Sequence, residues 1–424
     1  MAEVVKAWND GGSLSISYDG DGDGTAIFSS SENTGEERTM DVSFVDASRS
    51  VIVVRTVRQA AAEVALETYT RLTYIECNGQ QYINTGYVVQ EDDVIEMMYI
   101  STSSTSSDKA LYGCYDENGD IWFSLYSNTG YVRFGSSTSP SITNARMTYK
   151  LTMKKSSVVL DSGNSAAPDF VGLPQVPLYL MARNNKNNSV GMYGYCRCLG
   201  FSIKKSGGEE IMNLKPCKRD SDGAIGMIDL VSGKFFAGEG GAELIAGAEI
   251  KATEDYEVID YVTFSKNNLY DLGIVNSNQT IEVMFARSEK TATPYLYGCL
   301  TSPHTATVSA YLSSGGSWRF GSSYKGLNTN NTFMNRVIIS NGKTVFNFAT
   351  GTFTKATFTT PDTVVLGGYR AASGSLYKNY QGKVYYIRIT QGDNPTIDYY
   401  PCKRLSDGVE GFWDCVTNTF IEPI

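Results

Sequence analysis

At 424 residues the chain is too long for one ordinary domain and reads as about two to four. Its 36 basic and 45 acidic residues leave a net charge of −9, which excludes a broad nucleic-acid footprint, because phosphate binding needs a surplus of lysine and arginine. The single histidine, His304, excludes two-histidine metal sites and argues against a histidine-based triad, while 28 tyrosines, 41 glycines and only 19% charged residues suit β-sandwiches with many turns.

The first residues, Met1–Gly12, carry no basic stretch followed by an apolar core, and no apolar run of about 18 residues occurs anywhere. The expectation is a protein made without export, with no membrane partner, whose eight cysteines are free and mostly buried. Asp19, Asp21 and Asp23 alternate with glycine and satisfy the first half of a calcium loop. Position twelve of that loop falls on Ser30, where a bidentate glutamate is needed, and no helix flanks it, so a glycine-rich turn explains the run better. Calcium stays a candidate cofactor only through those three carboxylates. Residues 1–71 hold 6 basic and 12 acidic groups, a net −6 that favours solubility and disfavours anionic surfaces. Residues 1–60 form a first module and 61–71 a connection, in which Ala60–Glu67 is the one stretch with helical propensity.

Beyond the connection the chain repeats itself. Tyr74-Ile75 matches Tyr261-Val262, and Ile95-Glu96-Met97-Met98 matches Ile281-Glu282-Val283-Met284. Leu111-Tyr112-Gly113-Cys114 matches Leu296-Tyr297-Gly298-Cys299, and Arg133-Phe134-Gly135-Ser136-Ser137 matches Arg319-Phe320-Gly321-Ser322-Ser323. Pro216-Cys217-Lys218-Arg219 matches Pro401-Cys402-Lys403-Arg404, and the copies close with Gly226, Asp229 and Phe235 against Gly411, Asp414 and Phe420. Blocks in one order with nearly constant spacing mean a duplicated domain, residues 72–248 and 249–424, and not a solenoid of short units. Within the copies, Val94–Ile100, Val283–Ala286, Val337–Ser340 and Val384–Thr390 are short, rich in β-branched or aromatic residues and bounded by turn formers. Asn118-Gly119, Asn341-Gly342, Asp222-Gly223 and Asp407-Gly408 predict tight turns. The pattern predicts an all-β chain whose two copies are two-sheet jelly rolls.

Tyr74–Gly86, Leu-Tyr-Gly-Cys, Pro-Cys-Lys-Arg and Gly226–Phe236 together resemble concanavalin A-like, laminin-G-type domains, over both copies. The second copy departs at its opening, where Tyr261–Lys266 replaces Tyr-Ile-Glu-x-x-Gly. In the first module, Asn33, Arg38 and Gln59 punctuate successive strand-like segments in a way that resembles the later half of a BACON-type immunoglobulin-like module.

Candidate chemistry is sparse. Glycan hydrolysis needs two converging carboxylates, and no Glu-x-Asp-x-Glu segment offers them; Glu91-Asp92-Asp93 and Glu209-Glu210 read as turns. Gly238–Gly241 lacks the strand-to-helix context of a phosphate loop. Cys196-Arg197-Cys198 puts both thiols on one strand face, poorly placed to bridge each other. The expectation is a protein that is not an enzyme and holds no metal centre. Sugars stack on exposed aromatic rings while arginine takes their hydroxyls, so Trp122, Tyr126 and Arg133 of the first copy and Trp318, Arg319, Tyr369 and Arg370 of the second are the candidate carbohydrate-binding residues.

The resemblance implies a bacteriophage virion component, a head or tail fibre or decoration protein with an immunoglobulin-like base and two lectin-like heads. The implied partners are other virion proteins through the N-terminal module, a glycan or host-surface receptor, and further copies of the chain, a trimer by family analogy. A bacterial cell-surface polysaccharide-binding adhesin is the alternative.

Overall fold

The computed structural model describes Leu14–Tyr18, Ala26–Ser30, Arg38–Val45, Val51–Gln59 and residues 67–424, apart from short stretches of which the longest are 103–108, 289–294, 301–306, 313–316 and 327–333. The chain divides into two compact units, Met1–Glu67 and Thr68–Ile424. In the first unit Leu14–Tyr18 pairs antiparallel with Ala26–Ser30, and Arg38–Val45 with Val51–Gln59, where Arg38 and Gln59 are cross-strand partners. Asp19, Asp21, Asp23 and Asn33 lie outside the described residues, as do residues 60–66.

The second unit is all-β and holds two jelly rolls of matching strand order. Each has a large sheet and a smaller one. In the first copy the large sheet runs Ser165–Ala166, Ser157–Leu160, Lys150–Lys154, Asp93–Ser101, Tyr195–Lys205, Glu210–Arg219, Ile225–Asp229, Phe235–Ala237. In the second it runs Ala349–Thr352, Lys343–Phe346, Met334–Ser340, Gln279–Arg287, Gln381–Gln391, Asn394–Arg404, Glu410–Asp414, Thr419–Ile421. The order is the same position for position. Period-two alternation builds each core: Ile95, Met97 and Tyr99 point inward in one copy, Ile281, Val283 and Phe285 in the other. Of the predicted turns, those at Asp222-Gly223, Asn341-Gly342 and Asp407-Gly408 form, and Asn118 lies outside the described residues. Gly342 (φ 90°) closes the two-residue hairpin between Met334–Ser340 and Lys343–Phe346, a conformation that glycine adopts without strain.

The expected boundaries shift by a few residues. Tyr69–Leu72, largely inside the expected connection, is a strand paired with both Glu210–Arg219 and Glu249–Ile250, so the first jelly roll takes in Ile250 as well. Strands this short give no periodic signal, and only their pairing reveals them.

The two jelly rolls share a third apolar core. Ile100, Tyr149 and Ile250 of the first meet Met284, Met334, Tyr386, Tyr400, Cys402 and Trp413 of the second. These side chains come largely from the faces of the large sheets that turn away from their own cores. The layers therefore stack as small sheet, large sheet, large sheet, small sheet. Polar groups pin the seam: Lys215 pairs with Asp260, and in its second-copy wall Arg336 Nε lies 2.6 Å from Glu282 Oε1, to which the Tyr386 hydroxyl also donates.

All eight cysteines are free, seven buried and Cys415 half-buried. Burial pushes the thiols of Cys198 and Cys217 up to about 12 and that of Cys402 to about 11, so they stay protonated and poorly nucleophilic. The native protein is expected to react negligibly with a thiol reagent at neutral pH, and all eight groups to react once it is denatured without reductant. Disulfide-linked peptides in a mass spectrum of unreduced protein would contradict this.

Candidate functional site

The repeated Leu-Tyr-Gly-Cys segment lies in the small sheet of each copy, within Lys109–Tyr115 and Tyr295–Cys299. Its tyrosine and cysteine enter the core: Tyr112, Cys114, Tyr297 and Cys299 are all buried. Its glycine lies on the outer face and lets neighbouring side chains close over the strand. A Cβ at Gly113 would stand 2.5 Å from Trp122 Cβ, and one at Gly298 would stand 3.0 Å from Tyr369 Cβ. The glycine thus marks the centre of an outward surface in each copy.

In the first copy that centre is a clasp. Trp122 lies opposite Gly113 on one side and Arg133 on the other. The guanidiniums of Arg133 and Arg183 each lie 5.3 Å from the indole centroid, within cation–π range. Arg133 pairs with Asp120, which also accepts the Trp122 Nε1 hydrogen at 3.4 Å, and Arg183 Nε donates to Asn185 at 2.8 Å. Burial, and then the nearby Arg183 charge, lower the Arg133 pKa. Trp122 is left only 6% exposed. The expectation that Trp122 offers a stacking face is therefore corrected: its own neighbours cover the ring. The side chain of Tyr126 lies outside the described residues.

In the second copy the same surface carries a row of tyrosines. Successive ring centroids are 4.9 Å apart for Tyr311 and Tyr295, 4.5 Å for Tyr295 and Tyr369, and 4.7 Å for Tyr369 and Tyr377. The last pair is nearly parallel, at 7°. Tyr377, at the end of the row, is 48% exposed, and among the described residues no further ring covers its other face. Burial, with the neighbouring rings, raises the pKa of Tyr295 and Tyr369, so these two phenols stay neutral at physiological pH. The row is a line of phenols with one open ring at its end, suited to hydrogen bonds along its length and stacking at Tyr377.

Of the residues expected here, Tyr369 is central to the row. Arg319 stands opposite Ser309, near enough to Tyr295 to favour its ionised form. Arg370 is taken up by the fold: it donates to Thr363 Oγ1 at 3.1 Å and pairs with Asp362 at 3.5 Å. Trp318 is registered against Ala310, a core position, and its side chain lies outside the described residues. Tyr295, Tyr311 and Tyr377 carry no signal that composition could isolate. A register shift between Tyr295 and Tyr297 turns Tyr295 outward, against simple alternation.

The other repeated motifs are structural. Arg219 pairs with Asp222 at 2.6 Å and Arg404 with Asp407 at 2.7 Å, and each guanidinium covers a phenylalanine, Phe235 or Phe420. Asp229 and Asp414 hold turns through the hydroxyls of Ser232 (2.6 Å) and Thr417 (2.7 Å). Asp92 and Asp93 both bind Lys205, and Glu91 binds Lys155. Among the described residues no group of three or more His, Cys, Asp or Glu side chains could hold a metal ion, and no helix is long and apolar enough to cross a membrane. His304 lies outside the described residues.

No family model matches the chain, and no curated protein does. Among solved structures it is similar to the LG1–3 region of the laminin α2 chain, at 13% identity and TM-score 0.27, over 89% of this chain and 83% of that one. It is similar also to domains LG4–5 of the mouse laminin α1 chain, at 11% identity and TM-score 0.27, over 78% of this chain and 94% of that one. The jelly-roll assignment rests on the strand order described above.

Proposed function

We propose that this chain is a non-enzymatic attachment protein that holds a carbohydrate on the outer face of its second jelly roll. The observation that carries the reading is the tyrosine row ending in the open ring of Tyr377. Aromatic hydroxyl groups beside Arg319 suit a polyhydroxylated chain and are not the carboxylate pair that glycan cleavage needs. We place the protein in a bacteriophage virion, where the acidic N-terminal module docks it to other virion proteins. That placement rests on the sequence resemblance in the duplicated motifs and in the first module.

Glycan-array binding of residues 68–424 tests the reading. Binding that Tyr377→Ala weakens about tenfold, with no release of reducing sugar, is expected. Hydrolysis that disappears with a single carboxylate substitution would overturn the non-enzymatic assignment. Unchanged binding by Tyr377→Ala would remove the tyrosine row as the site.

A further inference from the structure

We infer that glycan contact belongs to the second jelly roll alone, and that in the first the equivalent place is closed by the Arg133–Trp122–Arg183 clasp. The inference rests on the carbohydrate reading above and divides it between the copies. The two surfaces correspond residue for residue through their pairing. Gly113 faces Trp122, and Gly298 faces Ser309. The next strand places Arg133 beside Trp122 and Arg319 beside Ser309. On the opposite flank, Asn184 pairs with Cys114 and Arg370 with Cys299, so Arg183 and Tyr369 occupy the same position.

Two differences separate the surfaces: Trp122 stands where the second copy has Ser309, and Gly191, across from Arg183, stands where it has Tyr377. An indole at position 122 gives guanidiniums from both flanking strands a π-face, and its Nε1 hydrogen reaches the Asp120 carboxylate that also holds Arg133. The ring is sealed. At the matching place Ser309 has no ring to cover, and Tyr369 instead stacks between Tyr295 and Tyr377. Arg183 lies 5.3 Å from the ring centroids of both Trp122 and Tyr115, which are 6% and 37% exposed, while Tyr377 is 48% exposed with stacking, among the described residues, on one face only. Trp122 and Arg183 are thus the residues that close the first copy, and Tyr377 is the one that opens the second.

The layer order agrees with this division. With the large sheets back to back, the two small-sheet faces look away from each other, so a single flat surface cannot meet both. Two open sites on one chain would then add no avidity on such a surface, since linked sites help only where both can engage at once. The duplication serves as a mount: the first jelly roll covers the large sheet of the second and leaves its outer face free.

The test is affinity electrophoresis of the full chain in gels containing soluble xylan, galactomannan or mixed-linkage β-glucan, paired with hydroxyl-radical footprinting. Tyr377→Ala is expected to lose about tenfold in retardation. Trp122→Ser, which installs the residue of the second copy, is expected to keep the wild-type value. Retardation lost by Trp122→Ser with its fold intact, and kept by Tyr377→Ala, would overturn the inference. Footprinting decides independently of that variant's folding: rapid oxidation of Tyr377 with protection of Trp122 supports the inference, and equal rates refute it. Wild-type protein unretarded by all three polysaccharides would count against the carbohydrate reading itself, leaving the footprint to decide which copy presents an open ring.

Discussion

Tyr149→Ala is expected to destabilise the tandem by about 3–5 kcal/mol and to split its thermal transition in two. Tyr149 belongs to the first jelly roll, is 1% exposed, and lies in the core that joins it to the second. Burial holds its phenol far above the ordinary tyrosine range, so it stays neutral beside Arg336, Tyr386 and Glu282. Removing the ring leaves a cavity against Met284 and Met334 in the shared core, beside the Glu282–Arg336 pair. Tyr149→Phe keeps the ring and is expected to cost only about 1 kcal/mol. Calorimetry of residues 68–424 separates the cases. One unchanged transition for the alanine variant would mean that the jelly rolls do not stabilise each other through this seam. The functional stake is orientation: if the seam opens, the two small-sheet faces no longer have to point apart.

The duplication, the strands and the turns were legible because each has a local cause. Ile95, Met97 and Tyr99 alternate with less buried neighbours, and Asn341-Gly342 has the backbone freedom that its hairpin needs. The seam was not legible. Met98 and Ile100 sit in a strand whose other face already accounts for a core, and nothing local says that a second sheet covers them. The candidate site was legible in part. Tyr369 and Arg319 were found by residue type, an aromatic ring and a guanidinium suited to a sugar, but exposure depends on neighbours brought together from distant segments. Trp122 is covered by Arg183, 61 positions further along the chain. Tyr295 reaches the outer face only through a register shift. Arg370 was expected to reach a sugar beside Tyr369, yet Asp362 and Thr363 hold it. Short strands such as Tyr69–Leu72 escaped for the same reason: their evidence is in their partners.

The seam also predicts a pH dependence, through Asp161. This residue follows Ser157–Leu160 and lines a cleft of about 340 Å³ between the jelly rolls, with Lys150 from its own copy and Arg287, Lys383 and Tyr385 from the other. Burial pushes its carboxyl up to about 7, outweighing backbone N–H donation from Tyr149, Lys150 and Met334 and the nearby Lys150 charge. An unfolded aspartate titrates near pH 3.9, so between about pH 4 and 7 the folded chain binds the extra proton. Stability from this group is therefore fully present below about pH 4 and is lost as pH rises through 7. Asp161→Asn keeps an acceptor oxygen and never ionises. The variant is expected to match the wild type in Tm near pH 4 and to exceed it by several degrees near pH 8, the gap opening across that interval. Melts of both proteins over the range isolate the group, because every other titration is common to the pair. An asparagine variant that is less stable than the wild type near pH 8 would show that the ionised carboxylate, held by Lys150 and the backbone of both copies, fastens the seam instead of straining it.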